Sequence, residues 1–311
     1  MAIGATNYQV THSDAYIPEL WSNEVIADYK AGLVMGNLVR KVSHKGKKGD
    51  TIHVPNYSRQ TATAKTADTE ITPKAVTHGT TPILLDKHYY NSALVEDIVK
   101  LQALTSLRSA ITEDFGYSLA KQADSDIHAQ FETLNGGTAA GANNWETAVI
   151  GGDGTTAFND ATTGNGTDIT DAGIRAMILQ LDNADVPMMN RYMVIPPIAK
   201  SDLLGLSRFT EQAFIGDGNN PIRTGKLGSI YGMDVYVSSN CPSFASDDFS
   251  TMYRAGHIFH KDAVVYAEQQ GVRMQAQNKL EHLGDLMVAD CVYGVAEYRD
   301  NAGVSFIVPS T

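Results

Sequence analysis

Apolar side chains recur every three or four residues from Val95 to Leu134. Ile98, Leu101, Leu104, Leu107, Ile111, Phe115, Leu119, Ala123, Ile127, Phe131 and Leu134 share one stripe, which predicts a one-sided helix. No proline interrupts the run, Ser92 or Asp97 is placed to cap its start, and Asn135-Gly-Gly137 to end it. About forty residues at 1.5 Å each would span roughly 60 Å, about threefold more than an ordinary helix. The steps favour four over the alternating three and four of a heptad, so a sheet or neighbour rather than a coiled coil is expected beneath it. Gly116 is the position at which it would bend or break.

The pattern switches to period two elsewhere. Thr51-Ile-His-Val-Pro55 and Thr80-Thr-Pro-Ile-Leu-Leu-Asp86 read as strands, separated by about twenty residues rich in Thr, Ala and Lys. Such a stretch cannot build a core of its own, and a two-stranded ribbon is marginal alone. It is therefore expected to lie on another chain. Near the N-terminus, Leu20, Trp21, Val25 and Tyr29 recur at helical spacing after Pro18. That short helix packs either on its own domain or on a neighbour. Residues 136–170 read as a loop or short hairpin insertion anchored by Trp145 and Phe158.

From Thr170 the chain alternates helix and strand. Asp171 is expected to cap a helix reaching Asp182, with Ile174, Met177, Ile178 and Leu181 as its stripe. Arg191-Tyr-Met-Val-Ile-Pro-Pro197 reads as a buried strand stopped by prolines, Ile198–Leu204 as a second helix, and Asp217-Gly-Asn-Asn-Pro221 as a loop. Met233, Val235 and Val237 oppose Asp234, Tyr236 and Ser238 in a strand entered through turns at Gly225, Gly228 and Gly232. Leu286–Tyr298 is apolar on both faces, a buried strand, and Val304, Phe306 and Val308 alternate in the last one.

A chain of 311 residues with 43% hydrophobic and 19% charged residues is globular and makes one large domain or two ordinary ones. No run of eighteen apolar residues supports a membrane helix, and the first residues do not read as a signal peptide. Cys241 and Cys291 form neither a metal-ligand spacing nor a disulfide framework, and suit a reducing cytoplasm. The net charge of −11 argues against gripping nucleic acid; it fits a wall that repels phosphate backbones, and many soluble enzymes too.

Catalytic and metal signatures are missing. There is no Gly-x-Ser-x-Gly and no His-Glu-x-x-His. His257 and His260 are read as two ordinary histidines near a strand, and Asp124 and Asp126, two apart on the long helix, as a solvated edge facing two ways. Gly151-Gly-Asp-Gly-Thr-Thr156 lacks the Gly-Lys-Ser/Thr ending of a phosphate cradle. No catalytic, cofactor-binding or metal residue is assigned.

The order of these features resembles a known family. Gly225-x-x-Gly-x-Ile-x-Gly-x-x-Val-x-x-Ser238, then His260-Lys-Asp-Ala263, is similar to the axial-domain region of tailed-bacteriophage major capsid proteins of the HK97 fold. Helix, Val-Pro, Arg-Tyr-x-Val-Ile-Pro-Pro, helix, and a closing Tyr293-Gly-Val-Ala-Glu-Tyr298 followed by Val304-Ser-Phe-Ile-Val308 extend the likeness over about residues 15 to 309. The resemblance implies an α+β fold in five parts: an N-terminal arm (1–40), an extended hairpin loop (41–90), a peripheral domain with a long spine helix and an insertion (91–169), an axial domain (170–270) and a C-terminal return to the peripheral domain (271–311).

It also implies a structural subunit of an icosahedral DNA-filled head, assembling as hexamers and pentamers in the bacterial host cytoplasm. No enzymatic activity, cofactor or membrane belongs to that picture. Contacts between subunits are expected at Trp21, Lys45, Lys47, Lys48 and Lys65, although the lysine cluster equally suits a solvated turn. Met1 leads almost directly into the arm, so a separate scaffolding protein is expected; a portal, a decoration protein and packaged double-stranded DNA held without sequence preference complete the partners. No covalent lysine–asparagine cross-link is carried over. The rival readings are an encapsulin-like compartment with protein cargo and an α/β enzyme.

Overall fold

The computed structural model describes residues 35–46, 48–57, 62–71, 73–76, 78–97, 107–136, 150–158, 165–206, 228–246 and 251–310. The arm segment with Trp21, Lys47, the stripe positions Ile98, Leu101 and Leu104, Trp145, the 217–221 loop and Gly225 lie outside them.

A single helical turn, α1 (Met35–Leu38), leads into β1 (Arg40–Ser43), β2 (Thr51–Tyr57), β3 (His78–Leu84) and β4 (Lys87–Glu96). The long helix α2 (Leu107–Gln130) runs into a 3-10 turn at Phe131–Gly136. Then come β5 (Ile150–Gly151), α3 (Asp171–Asn183), β6 (Arg191–Ile195) and α4 (Pro197–Gly205). Strands β7 (Ser229–Ile230), β8 (Met233–Val237), β9 (Ser243–Ala245) and β10 (Met252–His260) follow. The chain closes with β11 (Val264–Lys279), β12 (Gly284–Glu297) and β13 (Gly303–Pro309).

Three sheets result. One has four strands in the order β1-β11-β12-β4; one has seven, β5-β13-β10-β6-β8-β7 with β9 beside β10; the third is the two-stranded ribbon β2-β3. Strands β10 and β11 are separated only by Lys261–Ala263, so one short turn joins the two larger sheets.

The seven-stranded sheet is covered on both sides, and β13 shows why. Every residue from Gly303 to Val308 is buried. Val304, Phe306 and Val308 enter one apolar cluster with Ile174, Met177 and Leu181 of α3 and Leu203 of α4. The alternate residue Ile307 enters the other, with Phe131, Phe259 and the α2 stripe. A period of two on a strand splits its side chains between two layers, so both faces must be apolar. The last strand therefore closes the seven-stranded sheet and does not return to the four-stranded one, as the resemblance implied; it meets the long helix only at that helix's C-terminal turn, where the Ser305 hydroxyl donates to the Phe131 carbonyl at 3.0 Å.

Helix α2 buries Phe115, Leu119, Ala120, Ala123 and Ile127, as its stripe predicts. It passes Gly116 without a break and ends where Asn135 takes the left-handed conformation at φ 59°. Its beginning differs from the expectation. Val95 and Glu96 belong to β4, and Ser92 pairs with Val288 of β12, so Ser92 caps nothing. Ala93 and Val95 alternate with exposed Ser92 and Leu94, and Val95 stands three residues before Ile98, in step with the stripe. At the N-terminus of α3 the cap is Thr170, whose hydroxyl accepts from the Gly173 amide, rather than Asp171.

Among the described residues, the ribbon is anchored at its base. Ile83 and Leu85 are buried with Val265 and Ala267 of β11, and Val42, Ile52, Val54, Ala296 and Tyr298 pack around them. The expectation that the whole of 41–90 lacks a core is corrected here: the base rests on its own body. Described residues 62–71 and 73–76 are exposed throughout. The anchoring is close, because a Cβ added at Gly294 of β12 would stand 1.9 Å from the Leu84 carbonyl oxygen. Gly294→Ala is expected to prise the ribbon base off β12. Limited proteolysis should then cut between residues 58 and 77 several-fold faster, while the seven-stranded sheet keeps its thermal transition.

Candidate assembly surfaces and a buried polar row

The predicted contact residues separate in the structure. Lys45, beyond the end of β1, pairs with Glu268 of β11 at 3.2 Å, on its own subunit. With both side chains partly in water, that pair contributes little to stability. Lys48 and Lys65 are exposed, the first in the turn before β2, the second in the ribbon stretch. Lys45 and Lys48 share the connection between β1 and β2, and Lys65 stands apart in the ribbon stretch.

Apolar side chains are left in water at the extremities of the subunit. Ile71 and Val76 sit in the ribbon stretch, and Met188 and Met189 in the turn before β6. Leu280 and Leu283, 78% and 70% exposed, cap the β11–β12 hairpin. Leu283 takes a left-handed φ of 42° there, a conformation rarely held by a branched side chain. Tyr90 and Leu94 stand out from β4, an edge strand whose other side chains face α2. Isolated exposed apolar groups are ordinary. With Tyr117 on α2, Leu179 on α3 and Val237 on β8, they leave apolar surface on many elements of the subunit.

The acidic pair on α2 is not a solvated edge. The two carboxylates do face different ways, but both are sequestered. Asp124 accepts the Met35 amide at 2.8 Å and the Asn240 side-chain amide at 3.0 Å. Asp126 accepts the Tyr293 hydroxyl at 2.8 Å and the Gln122 amide at 3.0 Å, and lies 3.5 Å from Lys87 Nζ. One carboxylate thus ties α2 to the start of the described chain and to the seven-stranded sheet. The other ties it to β12 and β4.

His257 and His260 point to different surroundings and share no ligand. His260 Nδ1 accepts the Asp262 amide at 3.2 Å. His257 is fully buried: its Nδ1 lies 2.9 Å from Ser305 Oγ and its Nε2 lies 3.0 Å from His128 Nδ1. Phe131 stacks on its ring at 4.6 Å between centroids. Burial holds the His128 imidazole down to about 4, against the pull of Asp124, and holds His257 well below its usual range, with His128 adding to the effect. The order Asp124, His128, His257, Ser305 has the residue types of a hydrolytic relay, but all four side chains are buried. Among the described residues no group of three His, Cys, Asp or Glu is arranged to hold a metal.

The glycine-rich stretch 151–154 is not an open cradle either. A Cβ on Gly173 of α3 would lie 2.1 Å from the Gly152 carbonyl, so the loop is pressed on that helix. Asp153 is spent on the amides of Thr155 and Thr156.

Sequence reasoning missed the buried row. Its one local signal is the spacing of Asp124 and His128, four apart and interleaved with Ala123, Ile127 and Phe131 on the buried face. His257 carries a similar signal, lodged between Ala255 and Ile258 in an apolar strand.

Comparison with known proteins places the whole arrangement. A family model described as phage capsid protein matches residues 30–307. No curated protein sequence matches the chain. Among solved structures, one from Mycobacterium phage Che8 is similar at 22% identity and a TM-score of 0.67, covering 88% of this chain and 90% of that one. The capsid of the cyanophage P-SCSP1u is similar at 16% identity and 0.67, covering 90% and 89%. A virus-like particle from Pyrococcus furiosus is similar at 13% identity and 0.56, covering 93% and 98%. At these identities the structural likeness speaks for the fold alone.

Removing Asp124 as Ala leaves the buried Met35 amide unmatched, while Asn240 keeps the Lys121 carbonyl. Asp124→Ala is expected to lower the unfolding free energy by about 3 kcal/mol. Asp126→Ala, at a wetter site, should cost about 1 kcal/mol. Denaturant midpoints of the two variants check the order.

Proposed function

The chain belongs to the phage capsid protein family, over residues 30–307, and from that premise we propose how one subunit builds the shell. Its role is structural: many copies form the wall of a phage head. The family match across nearly the whole chain carries this reading. The fold adds to it a polar ribbon and several exposed apolar turns that one subunit leaves uncovered.

In the proposed assembly the copies form hexamers and pentamers of an icosahedral head. The exposed ribbon stretch lies across an adjacent subunit, where Lys48 and Lys65 meet partners they lack at home. Trp21 and Lys47 belong to the same contacts. Ordering a ribbon of Thr, Ala and Lys costs about 1–2 kcal/mol per residue in backbone entropy. A surface supplied by a neighbour offsets that cost, and repeated contacts between unlike patches close the shell. A separate scaffolding protein directs closure, a portal occupies one vertex, a decoration protein binds outside, and double-stranded DNA fills the interior without sequence-specific contact. The net charge of −11 supports the last point, since a negative wall does not adhere to phosphate. Assembly takes place in the host cytoplasm. The division at residues 40, 90 and 169 follows the same scheme. A cargo-holding compartment has less behind it, because the family model that matches residues 30–307 is one of phage capsid proteins.

Negative-stain microscopy of the purified protein, alone and with its scaffolding protein, should show closed shells in at least the second case. A monodisperse species of about the 33.6 kDa chain mass under both conditions would sink the reading. Replacing residues 62–76 by a short Gly-Ser turn should leave the subunit folded by circular dichroism. It should reduce shell yield at least tenfold.

A further inference from the structure

Hydrogen-bond arithmetic along the buried row leaves one atom open. The Ser305 hydroxyl has a single hydrogen, which goes to the Phe131 carbonyl at 3.0 Å. His257 Nδ1 must then donate to Ser305 Oγ, which makes His257 Nε2 the acceptor. His128 Nδ1 donates to it across 3.0 Å. His128 Nε2 is left with a bare lone pair, fully buried and without a hydrogen bond, facing Asp124 Oδ2 at 3.7 Å. Both of these electron-rich atoms belong to α2, one turn apart, where that helix meets the seven-stranded sheet.

We propose that the Asp124–His128–His257–Ser305 row is a proton-operated catch that holds the C-terminal half of α2 on the seven-stranded sheet and releases it in mild acid. Closed, the row must keep both rings neutral, because a cation there has little water and one carboxylate already committed to the Met35 and Asn240 donors. Opened, either ring is an ordinary imidazole. Acid therefore protonates the open form first.

The sign follows from linkage. Burial lowers both imidazoles in the closed form, His128 to about 4. The stability the row contributes is complete above about pH 6.5, the value of a free histidine, and is lost as the pH falls towards 4. Other charged groups at the junction do not reverse this. Asp124 is the only carboxylate shown facing the rings, and it raises the His128 value without overcoming burial. From the turn after β8, Cys241 is pushed up to about 12 by burial and then by Asp124, so it stays neutral. Arg254 of β10 donates to the Ser239 carbonyl at that turn and adds positive charge, which opposes protonation. Strand β6 presents Val194, β13 presents Ser305 and the 3-10 turn presents Phe131, none of which titrates.

Hydrogen–deuterium exchange on the unassembled full-length subunit tests the catch. Rates at about pH 8 and 4.5, corrected for intrinsic exchange, are compared peptide by peptide. Residues 119–131 and 255–259 should lose about 100-fold in protection, the change expected from one imidazole moved from 6.5 to about 4. The β11–β12 hairpin should change far less. His128→Gln and His257→Gln, neutral at every pH, should each remove most of that loss, whereas His260→Gln should not. The proposal is overturned by unchanged protection at 119–131, by an equal loss in the β11–β12 hairpin, or by the same pH dependence in His128→Gln. Should both glutamine variants fail to fold, the contrast between the two regions of the unmodified protein decides alone.

Discussion

Burial of β10 and β13 on both faces is the constraint from which the rest of this subunit follows. A strand with apolar side chains on alternate sides needs two covering layers. Helices α3 and α4 provide one, with Ile174, Met177, Leu181 and Leu203. The other comes from the far end of α2, through Ile127, Phe131 and Leu134. The long helix is thereby committed at one end to the seven-stranded sheet. Along its length it serves the four-stranded sheet, packing on β12 and β4. One element thus belongs to two cores, and polar contacts rather than oil mark where they meet: Asp124 faces one and Asp126 the other.

The ribbon obeys the opposite rule. Its base borrows a small core from β11, through Ile83, Leu85, Val265 and Ala267. Beyond that, it has too few apolar groups to cover itself, and its described residues stand in water. The fold gathers its apolar groups into its cores and leaves these outlying parts uncovered within the subunit. The exposed leucines at the β11–β12 turn and the methionines before β6 fit the same division.

Much of this was legible in the sequence, and the failures have physical causes. The α2 stripe, the two ribbon strands, α3 with Ile174, Met177 and Leu181, and the strand ended at Pro196 were visible because each depends on periodicity or on proline. The start of α2 was misplaced because Val95, the last buried residue of a strand, stands three residues before Ile98 and so falls in step with the stripe. The destination of β13 was hidden, since alternation tells that a strand has faces and not which sheet it joins. The buried row was the least visible. Asp124, His128, His257 and Ser305 come from three elements as far apart as 181 residues, and polar residues reveal burial only when their partners are in place. The ribbon was legible as poverty of apolar residues, which marks a segment that cannot cover itself and not what covers it.

Gly294 has a consequence for inheritance. The ribbon and the body touch there with only a hydrogen atom between strand and carbonyl, so this codon tolerates no side chain at all. The outlying ribbon, by contrast, has nothing at home to clash with. Within the subunit the described ribbon residues are held to no such limit, provided one missing methyl group at the base stays missing.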